Sequence, residues 1–278
     1  MTISVHTNTS AMTALQNLTS TNNDLETVQN VISTGLAVGS AKDNASVYSI
    51  AQSQRSDLSS LQAVTESLNR ADSIASVASA AGANISDLLN QMREKVVGAM
   101  DTSIDTLSRN SLNQDFQSLL QQVSQSVQNA TFNGTNLIDG TLTSNISFIA
   151  NANASASITL SVRTMSLGGP IITIPSSTTL DSASSASAVL TMLDTSIANV
   201  NSALGAMGSQ QKQIEGHLSF VSKLEDAIQG GIGNLVDADM ATESSKLQAL
   251  QVQQQLGTQA LSIANQAPQQ ILSLFKGG

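Results

Sequence analysis

The chain has 278 residues with no Cys, no Trp, one Tyr and five Phe, so aromatic side chains make up 2% of it and small and aliphatic residues must do the packing. This excludes an aromatic-rich globular core, a disulfide framework, a thiolate nucleophile and a Cys-based zinc site. The net charge is −9 and its Lys and Arg are scattered singly from Lys42 to Lys276; with no basic stripe and no apolar run of about 18 residues, neither nucleic-acid binding nor membrane insertion is expected.

Near the N-terminus Leu15, Leu18, Leu25 and Ile32 hold heptad positions, with Asn22 and Gln29 between them, and the run stops at Gly35, a C-cap residue. No Lys or Arg precedes Lys42 and no continuous apolar segment of signal-peptide type occurs there, so export of this chain would not rest on a cleaved signal peptide.

After Arg55 apolar or small residues advance by alternating steps of three and four: Leu61, Val64, Leu68, Ala71, Ala75, Ala78, Gly82, Ile85, Leu89, Met92, Val96 and Ala99. This predicts a helix packed lengthwise on other helices. From Asn44 to Met100 it would run about 85 Å at roughly 1.5 Å per residue. The same step through Phe116, Leu119, Val123, Val127 and Ala130 predicts a second, antiparallel helix, ended by the turn chemistry of Asn133-Gly134.

Between residues 141 and 182 the period changes to strand-like alternation at Ile146 and Phe148 and over Ile158 to Val162, then Gly168-Gly169-Pro170 and Ile171 to Pro175. A few short strands with turns are expected. A Ser/Thr/Ala-rich loop over 176–187 then leads into a helix capped by Asp181 or Ser182. That third long helix carries Leu190, Leu193, Ile197, Val200, Leu204, Met207, Gln211, Ile214, Leu218 and Val221 at heptad steps.

At the C-terminus Ala249, Val252, Leu256, Ala260, Ile263, Ala267, Ile271 and Leu274 follow a hendecad period, which favours a straight seam over a left-handed supercoil. Gly230-Gly231-Ile232-Gly233 reads as the breaker between this helix and the preceding one. The expected fold is mainly α, a long antiparallel helical bundle or coiled coil formed by the N- and C-terminal segments, with a small β insert in the middle. Two terminal helices without aromatic anchors bury little alone, so their seams suit packing between many identical copies, the heterologous contact that builds an open helical filament.

Little here suits catalysis. His6 lies in a polar tail and His217 precedes Leu218, so neither begins an H-E-x-x-H helix. Asp237 and Asp239 with Glu243 lack the EF-hand spacing and read as a helix cap. The glycines at 230–233 have no following Lys-Ser/Thr to make a phosphate loop. No enzyme activity, cofactor or metal is expected.

Four segments carry a family resemblance. Ser33-Thr34-Gly35-Leu36 with Ser40-Ala41-Lys42-Asp43-Asn44-Ala45 resembles the N-terminal signature of bacterial flagellins, and Thr131 to Gly140 (TFNGTNLIDG) resembles their following turn. Ile232 to Ala241 with Glu243 to Gln248, and Gln255 to Gln266, resemble their C-terminal block. The resemblance implies a subunit that polymerises with copies of itself into an extracellular flagellar filament for swimming, exported through the flagellum's own type III apparatus. It implies hook-associated and cap proteins and an export chaperone as partners.

It also implies a division into an N-terminal inner-core helix at 1–43, outer-core helices at 44–140, the β region at 141–182, a C-terminal outer-core helix at 183–232 and a C-terminal inner-core helix at 233–278. The polymerisation seam would be Leu15, Leu18, Leu25, Ile32, Val252, Leu256, Ile263, Ile271 and Leu274. Ser176, Ser177, Thr178 and Thr179 would be candidates for O-linked glycans. The short middle segment is similar to the compact core-only type of alphaproteobacteria. A hook–filament junction protein, which shares flagellin-like ends, is the alternative. Where receptor-activating flagellins carry LQRVRELAVQ, this chain has Gln91 and Lys95 in the stretch from Leu89 to Gly98, which implies weak stimulation of the flagellin-specific Toll-like receptor.

Overall fold

In the computed structural model, backbone is described for residues 7–276 and side chains for 7–266. The described residues form five helices, α1 (Thr9–Thr34), α2 (Ala45–Ala99), α3 (Thr106–Asn129), α4 (Ala183–Val236) and α5 (Met240–Lys276), and four short strands, β1 (Thr131–Phe132), β2 (Thr135–Asn136), β3 (Ile146–Ile149) and β4 (Ser157–Leu160). The fold is thus mainly α with a small β insert. It divides into two compact units, one of residues 57–226 and one of the two ends, 1–56 with 227–278.

Each helix begins on a side chain able to accept from the free N–H groups of its first turn. Asn8 accepts from Ala11 N–H, Asn44 from Val47 N–H, Asp105 from Ser108 N–H, Ser182 from Ser185 N–H and Asp239 from Ala241 N–H, at 2.9–3.1 Å. Of the two cap candidates before α4, Ser182 takes the role; Asp181 instead accepts from the Thr179 hydroxyl at 2.6 Å.

In the unit formed by residues 57–226, α2 and α4 run antiparallel. Thr65 donates to Glu225, Gln211 to Ser76 and Ser86 to Asn201, and Arg93 pairs with Asp194 at 2.7 Å, so partners fall in sequence on one helix as they rise on the other. A Cβ at Gly82 would lie 2.8 Å from Leu204 Cδ2, which marks the close approach of the two helices. All twelve heptad positions from Leu61 to Ala99 are buried. α3 returns along α2, with Asn84 accepting from Ser126 at 2.8 Å and Lys95 pairing with Asp115 at 3.0 Å, and it buries Phe116, Leu119, Leu120, Val123 and Val127. Arg109 closes the α2–α3 turn by donating to Ala99 O and Asp101 O at 3.2 and 2.9 Å, carbonyls left free at the helix end.

On α4 the most buried row is Val189, Leu193, Ser196, Val200, Ala203, Met207, Ile214 and Val221. Half of the expected heptad set lies in this row, while Leu190, Ile197, Leu204, Gln211 and Leu218 are half-buried on its flank. The core row takes in the polar Ser196, which donates to Met192 O at 2.7 Å and accepts from Thr173 N–H at 3.0 Å.

Asn133 and Gly134 both have positive φ, 50° and 77°, as a two-residue type I′ hairpin between β1 and β2 requires. Behind it the buried Asn136 amide donates to Val127 O at 2.7 Å and accepts from Ile138 N–H at 2.9 Å, tying the hairpin to the end of α3. β3 and β4 pair antiparallel with Phe148 opposite Ile158. Residues 171–175 depart from the expected strand: they make one isolated bridge, Leu167 to Ile172. Pro170 and Pro175 supply no ladder donors at either end, and the Thr173 donor is taken by Ser196.

The segment 230–233 also departs from expectation. It is helical, and α4 continues through its glycines to Val236, the joint falling at Asp237 and Ala238. Glycine weakens a helix by roughly 1 kcal/mol but removes no donor, so the i to i−4 ladder carries on, as the Asp237 N–H to Gly233 O bond of 2.8 Å illustrates.

Phe116 is fully buried in the 57–226 unit. Phe116→Ala is expected to destabilise that unit by about 3–5 kcal/mol in denaturant unfolding of the monomeric chain followed by circular dichroism.

Candidate functional site

In the unit made of the two ends, α1 and α5 lie side by side and antiparallel. Asn8 Nδ2 donates to Ala264 O at 2.8 Å, and Gln254 Nε2 to Asn22 Oδ1 at 2.7 Å. A Cβ at Gly257 would lie 3.1 Å from Leu18 Cδ1. The protected positions on α1 are Ala11, Ala14, Leu18, Thr21, Leu25, Val28 and Ile32, a heptad row. On α5 they are Glu243, Leu247, Leu250, Gln254, Gly257, Leu261 and Ala264, also at steps of four and three. Burial is shallow, for Val28 is the one residue of α1 that is fully buried.

α1 ends on Gly35 in the left-handed conformation, φ 72°, with its N–H on Val31 O at 2.8 Å. The chain that follows clamps the end of α4: Ala37 N–H and Val38 N–H both donate to Val236 O, at 2.7 and 3.2 Å, and Ala238 N–H returns to Gly35 O at 2.9 Å. Nearby, the Asp43 carboxylate accepts from the N–H groups of Gly39 and Ser40 and from the Ser40 hydroxyl. This is the local work of the Ser33–Leu36, Ser40–Ala45 and 232–241 segments: they form a backbone joint, which periodicity alone did not reveal.

The expected seam residues separate into two sets. Leu18, Leu25 and Ile32 belong to the α1 row that faces α5 within the chain. Leu15, Val252, Leu256 and Ile263 are 54%, 55%, 63% and 61% exposed, and Met12, absent from the sequence-based set, joins them at 63%. Ile271 and Leu274 lie outside the residues whose side chains are described, as does His6. α5 therefore carries two rows, a heptad row toward α1 and the hendecad row of Ala249, Val252, Leu256, Ala260 and Ile263 away from it. Composition could have signalled this, since a helix with two apolar periods needs two neighbours.

Of the acidic trio, Asp239 is the cap of α5: it accepts from Ala241 N–H, Thr242 N–H and the Thr242 hydroxyl, at 3.0, 3.4 and 2.6 Å. Those bonds, that of Thr242 foremost, hold its carboxyl below the ordinary value of 3.8. Glu243 pairs with Lys246 at 2.6 Å on the helix surface. His217 Nε2 donates to Ala150 O at 2.6 Å, and its ring leans on Phe220. No group of three or more His, Asp or Glu among the described residues is placed to hold a metal ion, and no described helix is long and apolar enough to cross a membrane.

Because the folded pKa of Asp239 is depressed, its contribution is complete above about pH 5 and is lost as pH falls through 3.8 and then the folded value. The first turn of α5 is expected to fray in that acid window, read from hydrogen exchange at residues 240–243. Asp239→Asn, which caps without titrating, removes that acid sensitivity.

Residues 5–143 match the bacterial flagellin N-terminal helical region and residues 190–275 the bacterial flagellin C-terminal helical region. Over its whole length the chain is 50% identical to flagellin FljJ of Caulobacter vibrioides, covering all of both chains. It is 39% identical to a flagellin of Brucella melitensis, covering 99% of each. Two solved structures share the fold. The crystal structure of Bacillus cereus flagellin has a TM-score of 0.50 at 23% identity, over 56% of this chain and 88% of that one. A putative flagellar hook-associated protein of Vibrio parahaemolyticus has 0.60 at 14%, over 70% of this chain and all of that one. With both terminal regions matched and full-length relatives that are flagellins, the junction role is not favoured. The chain belongs to the bacterial flagellin family: it is a structural subunit of the extracellular flagellar filament, self-associating and not an enzyme.

Proposed function

We propose that this subunit assembles through the outward faces of its terminal helices, with Leu15, Val252, Leu256 and Ile263 as the surface that meets other copies. Leu18, Leu25 and Ile32 serve that contact indirectly, by holding α1 against α5 so that the outward rows are presented on a rigid pair. The observation that carries this reading is the exposure of Val252, Leu256 and Ile263 along a single row of one helix. A contiguous apolar row left in water marks an interaction site.

In this reading segments 1–43 and 233–278 form the inner core of the filament, 44–140 and 183–232 its outer core, and 141–182 the outermost surface. Export proceeds through the flagellar type III apparatus without a cleaved signal peptide, aided by a chaperone, and hook-associated and cap proteins bound the filament at its ends. Leu256→Asp with Ile263→Asp is expected to abolish filament formation in seeded growth followed by electron microscopy, while the helicity and unfolding midpoint of the 57–226 unit stay unchanged. Normal filaments from that double variant would overturn the assignment.

O-linked glycosylation, where it occurs, falls on Ser176 and Ser177. These are exposed at a turn in which Thr178 N–H bonds to Pro175 O at 3.2 Å, whereas Thr178 is half-buried with its carbonyl held by Gln117, and the Thr179 hydroxyl is engaged by Asp181. Intact mass of native filament subunits is expected to exceed the bare polypeptide mass, the excess disappearing in Ser176→Ala/Ser177→Ala.

A further inference from the structure

With no Cys, all the sulfur of this chain is in its eight methionines. Among the described residues the fold sorts them by access. Met92, Met165 and Met207 are buried, whereas Met240 is 42% exposed and Met12 63%. Met100 and Met192 are half-buried. A two-electron oxidant such as hydrogen peroxide has to reach the thioether sulfur, so burial protects it and exposure decides the rate. No cysteine thiolate is present to consume the oxidant first.

Met12 differs from Met240 in its surroundings. The row of α1 that faces α5 runs through Ala11, Ala14 and Leu18, and Met12 projects away from it, one turn before the exposed Leu15. Together Met12 and Leu15 form a shallow groove bordered by Gln16, Thr19, Ser20 and Asn23. Met240 instead lies in the first turn of α5 with Glu243, the partner of Lys246. Of the apolar residues on the outward faces of the terminal helices, Leu15, Val252, Leu256 and Ile263 are aliphatic and inert to peroxide. Met12 is the member of that surface that an oxidant can convert.

We propose that Met12 is a redox modification site: oxidation of its thioether by a peroxide blocks assembly, and assembly in turn shields it. This rests on the assembly role proposed above, whose outward surface Met12 joins. In the reaction the sulfur lone pair attacks one oxygen of hydrogen peroxide, and the S–O bond forms as the O–O bond breaks. The departing hydroxide takes the proton from the transferred oxygen and leaves as water. Sulfur is oxidised by two electrons and the peroxide is reduced. The sulfoxide oxygen is a strong hydrogen-bond acceptor, solvated while Met12 faces water. Covered by a second copy, it has to give up that solvation, which weakens the contact.

The test treats the full-length monomer with hydrogen peroxide, maps sulfoxide by peptide mass spectrometry and follows seeded filament growth by electron microscopy. Met12 and Met240 are expected to oxidise at least about tenfold faster than Met92 and Met165. Growth of the oxidised wild type is expected to fall at least about tenfold, the effect of one unpaired acceptor in a contact. Oxidised Met12→Leu, which keeps the size and apolar character of the side chain, grows at its untreated rate. Oxidised Met240→Leu stops as the wild type does. Methionine sulfoxide reductases restore growth of the oxidised wild type. Met12→Gln, a polar side chain of similar length, slows growth with no oxidant present. In finished filaments Met12 resists a peroxide dose that converts it in the monomer.

Undiminished growth of wild type carrying Met12 sulfoxide overturns the proposal and leaves the assembly role standing. So does arrest of oxidised Met12→Leu, which would assign the block to another residue, and so does equal oxidation of Met12 in filament and monomer. Failure of the assembly role reads differently: normal filaments from Leu256→Asp with Ile263→Asp remove it and the proposal together.

Discussion

The close approach of long antiparallel helices through small residues is the constraint on which this molecule depends. Gly82 against Leu204 and Gly257 against Leu18 set how near the backbones come. With no Trp and five Phe, burial per residue is modest, so cohesion accumulates along length: α2 has 55 residues and α4 has 54. In the 57–226 unit α3 and the β insert complete the core, adding the large buried side chains Phe116, Met165, Ile172, Ile174 and Leu180 to Leu68, Ile85, Leu89 and Met92 of α2.

The two units use the same helix-pair logic with different results. α2 presents a buried heptad row backed by α3 and α4, so that row is satisfied within the chain. Among the described residues α1 and α5 pack chiefly on each other, and α5 has two apolar rows. A pair so thin leaves one row in water. For a filament subunit this is the useful outcome in the assembly we propose, in which neighbours would cover the row that the monomer leaves in water. The electrostatics agree: residues 1–23 and 247–275 carry no Asp, Glu, Lys or Arg, and the charges of the two helices, Asp24 and Glu26 on α1 and Glu243 and Lys246 on α5, lie outside those stretches.

Much of this was legible from side-chain spacing. The row from Leu61 to Ala99 and the row from Phe116 to Ala130 are buried as their period indicated. Asn133-Gly134 makes the expected turn and Gly35 the expected cap. Spacing succeeded there because a helix on a helix is a one-dimensional problem, in which every third or fourth residue meets the same neighbour. It failed where backbone groups find partners far away in the chain. The clamp of Ala37 and Val38 on Val236 involves carbonyls and N–H groups that every residue possesses. The Ser196 hydroxyl drew the Thr173 donor away from a strand, and the glycines at 230–233 stayed helical because nothing after them broke the ladder before Asp237.

The sequence by itself determined the class of elements, their approximate ends and their family, since these follow from local period, capping chemistry and motifs whose residues lie close together. Which of several apolar rows turns inward was decided only in three dimensions. Leu18 and Leu256 are equally apolar and equally periodic, yet one is covered by α5 and the other faces water. That choice depends on the register and rotation of α1 against α5, which are set by Asn8 on Ala264, Asn22 on Gln254 and Leu18 against Gly257 across more than two hundred residues of intervening chain. Contacts of that range leave no mark on local spacing.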